Sequence, residues 1–236
     1  MVVSSNKTVA DYVTENIKTA HIFKKYGIDF CCGGKQSLLE ACEKKSLNAK
    51  ELLKKIEIAL KEPDLSPNFD HMSLADLMGY IKEKHHSYVR EQIPMISKFL
   101  NKIETVHGNL HPEIELINYH FKQTVGQLTR HMEQEETELF PLIEQLENGE
   151  NKTALLSAEE TISTLVKHHE NEGSRFEEIS ALTLGYEVPE GACRTYRASY
   201  DYLQAFEKDL HRHVHLENNI LFPKAIELEQ KQRKNK

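Results

Sequence analysis

Two segments of the chain repeat a pattern that could hold metal ions. His131-Met132-Glu133-Gln134-Glu135 runs on to Leu139-Phe140-Pro141, and His213-Val214-His215-Leu216-Glu217 runs on to Leu221-Phe222-Pro223. In both, a histidine stands four residues before a glutamate. On a helix this spacing puts the imidazole and the carboxylate on one face, about 6 Å apart along the axis. Side chains so placed can reach one metal ion or bridge a pair. Leucines share the face, Leu128 and Leu139 around the first pair and Leu210 and Leu221 around the second. The pairs therefore point inward, where an uncompensated carboxylate is costly and a bound cation removes the cost. A single His-x-x-x-Glu is ordinarily a surface or capped pair; two copies in matching Leu-Phe-Pro contexts favour a site.

Histidine is also the compositional anomaly, with 13 copies, most of them between His71 and His215. Two doublets, His85-His86 and His168-His169, precede the repeated segments. The step from His86 to His131 is 45 residues and that from His169 to His213 is 44. The chain thus reads as two helical hairpins, each giving a histidine from one helix and His-x-x-x-Glu from the next. Four imidazoles and two carboxylates form a mixed nitrogen and oxygen set suited to two iron ions with bridging carboxylates. A closed zinc site takes four ligands and prefers sulfur or nitrogen. His169 lies in line with Ile162, Leu165, Val166 and Phe176. In the first doublet periodicity leaves the choice open, since His85 aligns with Met78 and Val89 while His86 lies nearer the direction set by Val89 and Ile93.

A ferritin-like centre would need Glu-x-x-His on two different helices. The matches here are Glu83-His86 and Glu104-His107. On one helix they lie roughly 31 Å apart and cannot converge. Pro141 and Pro223 each delete a backbone hydrogen bond, which predicts a kink or an early helix end. Beside a metal, a kink would open access for a small ligand.

The elements that must position these residues are helical. Glycine (10) and proline (7) are sparse and no run alternates with period two, so the expected class is all-α. One apolar stripe runs Leu74, Leu77, Met78, Ile81, Val89, Ile93, Ile96, Leu100, and a second runs Leu116, Leu128, Leu139, Leu142. A third includes Leu155, Ile162, Leu165, Val166, Phe176, Ile179, and the fourth Tyr202, Phe206, Leu210, Ile220, Leu221. With breaks near 108–112, 148–151 and 185–191, these predict an up-down-up-down bundle over residues 71–236. Glu62-Pro63-Asp64-Leu65-Ser66-Pro67-Asn68-Phe69 cannot continue a helix and predicts a linker at 63–70, after a small helical domain at 1–62. Hydrophobic residues at 39% and charged residues at 28% suit a packed core with a solvated surface.

A net charge of -7 counts against a nucleic-acid partner. The tail Lys231-Gln232-Arg233-Lys234-Asn235-Lys236 reads as a solvated helix end. No stretch approaches the ~20 apolar residues of a membrane span, and Met1-Val2-Val3-Ser4-Ser5-Asn6-Lys7 lacks a signal-peptide core. Four cysteines are too few for a disulfide scaffold and suit reduced thiols in a cytoplasm.

His86-Ser87-Tyr88-Val89-Arg90-Glu91-Gln92-Ile93-Pro94, the two His-x-x-x-Glu segments with their Leu-Phe-Pro, and His169-Glu170-Asn171-Glu172-Gly173 together resemble the iron-sulfur cluster repair di-iron proteins. The larger domain of that family is a haemerythrin-like bundle, and the resemblance covers nearly the whole chain. It implies two non-haem iron ions and takes His86, followed four residues on by Arg90, as the first-helix ligand. It agrees with His131, Glu135, His169, His213 and Glu217. Glu133 and Glu170 are the acids expected to orient imidazoles. The family's other mark is Tyr26-Gly27-Ile28-Asp29-Phe30-Cys31-Cys32-Gly33-Gly34-Lys35. Two adjacent thiols there precede a Gly-Gly turn and a helix expected from Ser37. The helix N-terminus and Lys35 would favour thiolate, making Cys31 and Cys32 candidates for redox chemistry or a second, soft-metal site. Cys42 and Cys193 match no ligand spacing and read as structural.

The activity the resemblance implies is that of a cytoplasmic stress protein. It would restore iron-sulfur clusters damaged by oxidants or nitric oxide, with damaged iron-sulfur proteins as partners and iron as what it supplies. Two alternatives use the same site. One is nitric oxide reduction with the cysteines passing electrons; the other is a haemerythrin-like sensor or store for oxygen or nitric oxide. The thiol pair counts against simple oxygen carriage. Whether the chain is an enzyme, and whether it forms a homodimer, the sequence leaves open.

Overall fold

The structure is a computed structural model that describes residues 7–64, 66–149 and 157–234. Several expectations therefore fall outside the described residues: the first six residues, Leu65 of the linker, the end of the 148–151 break, Leu155 of the third stripe, and the last two residues of the tail. The fold is all-α. Among the described residues the one extended pairing is an isolated bridge between Thr8 and Ser37.

Three of the first four helices start where polar side chains cap them. α1 (Val9–Glu15) follows Thr8, whose hydroxyl accepts the Asp11 N–H while the Asp11 carboxylate accepts that of Thr8. Ser37 and Glu40 repeat this reciprocal cap on α3 (Leu38–Lys44), and Asn48 caps α4 (Ala49–Lys61). Between them, α2 (Lys18–Lys25) runs out through Tyr26 into Gly27, which takes the left-handed φ of 62° that a helix exit favours. Pro63 ends the run of helix, as its missing N–H requires.

The stretch that follows is strapped down. The Asn16 amide donates to the carbonyls of Ala59 and Glu62, Asp64 accepts the Ile17 N–H, and Arg212 donates to the Ser66 hydroxyl. The segment expected as a linker is thus held at both ends. A single 3-10 turn, Phe69–His71, leads to Ser73, which caps the first helix of the bundle.

That helix is α5 (Leu74–Tyr80), a π turn at Ile81–His86, and α6 (Ser87–His107). The second is α7 (Glu113–Gln134), a π turn at Glu135–Leu139, and α8 (Phe140–Glu147). The third is α9 (Ala158–Leu182), without interruption. The fourth is α10 (Arg194–Leu216), a π turn at Glu217–Leu221, and α11 (Phe222–Lys234). α6 packs on α7 and α10, α7 on α9, and α9 on α10 and α11, which closes the four helices into a ring of antiparallel neighbours.

Pro141 and Pro223 do not end the helical run. Each sits two residues beyond a π turn, where the Phe140 N–H reaches back to the Glu135 carbonyl and the Phe222 N–H to the Glu217 carbonyl. The wider turn carries one extra residue, which moves aside the carbonyl that a proline ring would strike in a regular helix. Leu116 also departs from expectation and is 51% exposed. Twelve residues separate it from Leu128, a rotation of about 120°, and the buried face of α7 instead carries Ile114, Ile117, Phe121 and Leu128.

Two helix starts are capped from a neighbouring helix. The Glu147 carboxylate accepts the N–H groups of Leu74 and Ala75, and that of Glu229 accepts those of Ala158 and Glu159. Opposite charge at a helix N-terminus stabilises it and binds each hairpin to itself. The bundle interior holds two apolar clusters. One includes Leu77, Ile81, Leu139, Leu165 and Leu221; the other includes Val89, Leu128, Phe176 and Leu210 and runs on without a break into Val9, Phe23, Leu38 and Ile56 of the N-terminal helices. Among the described residues no helix is long and apolar enough to cross a membrane.

Candidate metal centre

Between the two apolar clusters lies a layer of buried polar groups. His86, His131, Glu135, His169, His213 and Glu217 are each at most 1% exposed, and their inner atoms converge on two adjoining points. His86 Nε2 and His213 Nε2 lie 3.2 Å apart, with Glu135 Oε2 at 3.4 Å from the first and Glu217 Oε1 at 2.9 Å from the second. His131 Nε2 and His169 Nε2 lie 2.9 Å apart, with Glu135 Oε1 at 3.1 Å from the first and Glu217 Oε2 at 3.2 Å from the second. Each point receives two imidazole nitrogens, one from each hairpin. Each also receives one oxygen from each glutamate, so both carboxylates span the pair.

Such a cluster is unstable by itself. Both Glu135 oxygens and Glu217 Oε2 are buried without a hydrogen bond, close to imidazole nitrogens yet out of line with them. Burial disfavours the charge on Glu217, yet His213 and His169 hold its carboxyl well below the usual range. Burial likewise opposes charge on His169, while Glu217, Glu135 and Asn218 together push it up to about 9. Imidazole nitrogens and carboxylate oxygens aimed at a common point are what a cation satisfies, displacing the protons that the buried rings otherwise hold. The buried histidines and glutamates fit a metal site.

The outer nitrogens of the rings are treated unequally. His86 Nδ1 lies 2.6 Å from Glu136 Oε1, and Arg90 donates to the same oxygen at 2.9 Å. His169 Nδ1 lies 2.8 Å from Asn218 Oδ1. His131 Nδ1 and His213 Nδ1 are buried without a partner. Phe140 stacks on His86 and Phe222 on His169, each at 5.9 Å between ring centres. Glu133 and Glu170, expected to orient imidazoles, are both exposed. The orienting groups are Glu136 and Asn218, each the residue after a buried glutamate and hence in register with the repeat.

The first doublet is resolved by contact. His86 enters the cluster, while His85 turns sideways, its Nδ1 3.0 Å from Asp209 and its ring stacked on His213 at 5.5 Å. His168 is only partly buried and His215 faces Thr14 and Asn219, so neither joins the six.

The cysteine turn packs against the same layer. Cys31 and Cys32 hold their sulfurs 3.8 Å apart, and the Asp29 carboxylate accepts the N–H groups of Cys31, Cys32 and Gly33. The thiolate expected here is not favoured at Cys31: Cys32, burial and Asp29 push that thiol well above its ordinary range. The negative charge of Asp29 is in contact at 3.3 Å, while Lys35 is exposed. Cys42 is buried as a structural thiol, but Cys193 is exposed, 3.3 Å from His107 Nε2.

The Hemerythrin HHE cation binding domain matches residues 80–225, and the Domain of Unknown function (DUF542) matches residues 5–60. The iron-sulfur cluster repair protein ScdA of Staphylococcus haemolyticus is 34% identical over 94% of this chain and 99% of its own length. The chain belongs to the iron-sulfur cluster repair protein family. Two further members, both named iron-sulfur cluster repair protein YtfE, come from Pectobacterium carotovorum and Yersinia pseudotuberculosis. They are 36% and 34% identical over 89% and 87% of this chain, and over 91% and 90% of their own lengths. In this family member the cation-binding match spans all six residues of the buried layer, and the second match spans Cys31 and Cys32.

Proposed function

We propose that this chain repairs damaged iron-sulfur clusters by holding two iron ions in the bundle and giving iron up to damaged iron-sulfur proteins. The convergence of four imidazole nitrogens and two spanning carboxylates on two adjoining points carries this reading. The names of the relatives support it. Glu135 and Glu217 would bridge the two irons and His86, His131, His169 and His213 would complete them, two per ion. Two nitrogens and two carboxylate oxygens per position suit iron better than a sulfur-preferring metal. Iron held this way supplies the metal that a damaged cluster has lost.

The protein's own groups prepare the site for both uptake and release. Glu136 and Asn218 accept hydrogen bonds from the Nδ1–H groups of His86 and His169, which leaves the Nε2 lone pairs facing inward. His131 and His213 have no such partner, so each position combines one ring held at Nδ1 with one that is not. The apolar clusters on either side exclude water from the layer. Reduced thiols at Cys31 and Cys32 suit work in the cytoplasm, where oxidants or nitric oxide damage clusters.

Anaerobically purified protein should contain about two irons per chain, as the six-residue set requires. Incubated with an iron-sulfur enzyme whose cluster has been damaged by oxidant or nitric oxide, it should restore that enzyme's activity while losing its own iron. Stoichiometric zinc without iron, or repair that proceeds with no loss of iron from the protein, refutes the proposal.

A further inference from the structure

The two halves of the bundle supply the same inward histidines and glutamate, but differ in the side chain that meets the first histidine of each hairpin from outside. After Glu135 comes Glu136, and after Glu217 comes Asn218. Both side chains meet the outer nitrogen of the histidine on the other helix of their hairpin. An ionised glutamate only accepts hydrogen bonds, whereas an asparagine accepts and donates. Asn218 uses both ends. Its oxygen faces His169 Nδ1 at 2.8 Å, and its nitrogen donates to the Cys31 carbonyl at 3.2 Å. A carbonyl can only accept, so the amide cannot be turned round, and the proton between Asn218 and His169 resides on Nδ1.

We infer that Asn218 is a positioning residue through which the metal centre and the Cys31–Cys32 turn fix one another. This rests on the metal reading given above. A neighbour supplies an internal comparison. Asn219 also donates to the Cys31 carbonyl, at 3.1 Å, and to that of Phe30, at 3.4 Å, but its other contact is His215, outside the buried layer. Two amides therefore hold the same turn, and one of them touches the centre. The turn also lies against α9 directly. A Cβ at Gly173, one helical turn beyond His169, would sit 3.9 Å from the Cys32 sulfur. Loading the centre locks the His169 ring, the ring locks the Asn218 amide, and the amide holds the Cys31 carbonyl. Coupling between two sites is reciprocal, so a displaced turn weakens the hold on His169 by the same factor.

The test uses the full chain and reads the thiols rather than repair. The alkylation rates of Cys31 and Cys32 by iodoacetamide are followed by peptide mass. Protein without metal is compared with protein given two equivalents of ferrous ion anaerobically, and bound iron is measured in every sample. Loading should slow alkylation of the wild type about fivefold or more, the lower end of ordinary site coupling. In Asn218→Ala the ratio should fall to near one. Asn218→Asp keeps an acceptor for His169 but has no donor for Cys31; compared with the wild type at equal bound iron, it should still lose the ratio. Asn219→Ala should raise alkylation in both states and keep the ratio. A ratio that survives in both Asn218 variants, a ratio lost equally in Asn219→Ala, or a wild type whose alkylation ignores bound iron overturns the inference. A wild type that takes up no iron overturns the metal reading instead, and the iron measurement tells the two failures apart.

Discussion

Two neighbouring pairs of histidines test the buried layer one side chain at a time. His213 and His86 each aim Nε2 into it, whereas His215 meets Thr14 and His85 meets Asp209. His213→Ala and His86→Ala should each cut bound iron from about two per chain to about one or less, because one position keeps a single imidazole. His215→Ala and His85→Ala should leave iron content nearly intact, with some loss of stability for His85, which stacks on His213. Equal iron loss across the four variants contradicts this division. Five of the six residues were legible from spacing and leucine register. His86 was not, for a physical reason: counting at 100° per residue from Met78 selects His85, but the π turn at Ile81–His86 inserts an extra residue and carries the inward direction on to His86. Glu136 and Asn218 stayed hidden because an imidazole's outer nitrogen faces the neighbouring helix, which sequence order does not reveal.

The elements show where backbone space matters. A Cβ on Gly34 would stand 2.3 Å from the Phe30 carbonyl oxygen and 2.9 Å from the Ala10 Cβ, so something must shift. Gly34 also accepts the Ala10 N–H, which ties the cysteine turn to α1. Gly34→Ala should therefore destabilise the protein by about 1–3 kcal/mol, the usual range for overpacking, and should raise the reactivity of Cys31 and Cys32. Gly173→Ala makes only an ordinary contact with Cys32 and gains helix propensity, so it should be neutral or stabilising by up to about 1 kcal/mol. Urea midpoints of the two variants give the comparison; a Gly34→Ala protein as stable as the wild type would show that the turn is looser than its contacts indicate. The helix start at Ser37 and the breaks at 108–112 and 185–191 could be read from local chemistry. The π turns could not, since a widened turn depends on what the bundle must bring together.

At the scale of the whole molecule, the N-terminal helices and the bundle share one apolar cluster. Phe30 lies between His211 and His215, at 6.0 Å from each ring, and Lys24 pairs with the buried Glu207 on α10. The prolines at 63 and 67 marked where the helices stop. They gave no sign that the N-terminal unit docks on the fourth helix, because such contacts leave no period in the sequence. We propose that the division at 63–70 separates parts that can be cut without loss of the centre. A chain beginning at Asp70 should stay helical and bind iron, since all six residues remain. It should also unfold more easily, as the loss of Phe30 burial alone is worth about 1.5–3 kcal/mol. Circular dichroism, iron content and a denaturation midpoint decide it; a helical fragment without iron would show that the N-terminal unit is needed to build the centre.

The register of the two hairpins has a genealogical side. Glu135 to Glu217, Phe140 to Phe222, Pro141 to Pro223 and Glu147 to Glu229 are all 82 residues apart. Each residue does the same work in its own half, down to the π turn that begins at the glutamate and the distant cap at the helix start. Exchanging the halves also exchanges the two points on which the buried side chains converge. The bundle thus has the form of a doubled gene whose product once paired with itself, each copy lending one imidazole to either ion. A hairpin of residues 74–147 expressed alone should then dimerise and take up metal; a monomer that binds none would count against descent from a self-pairing ancestor.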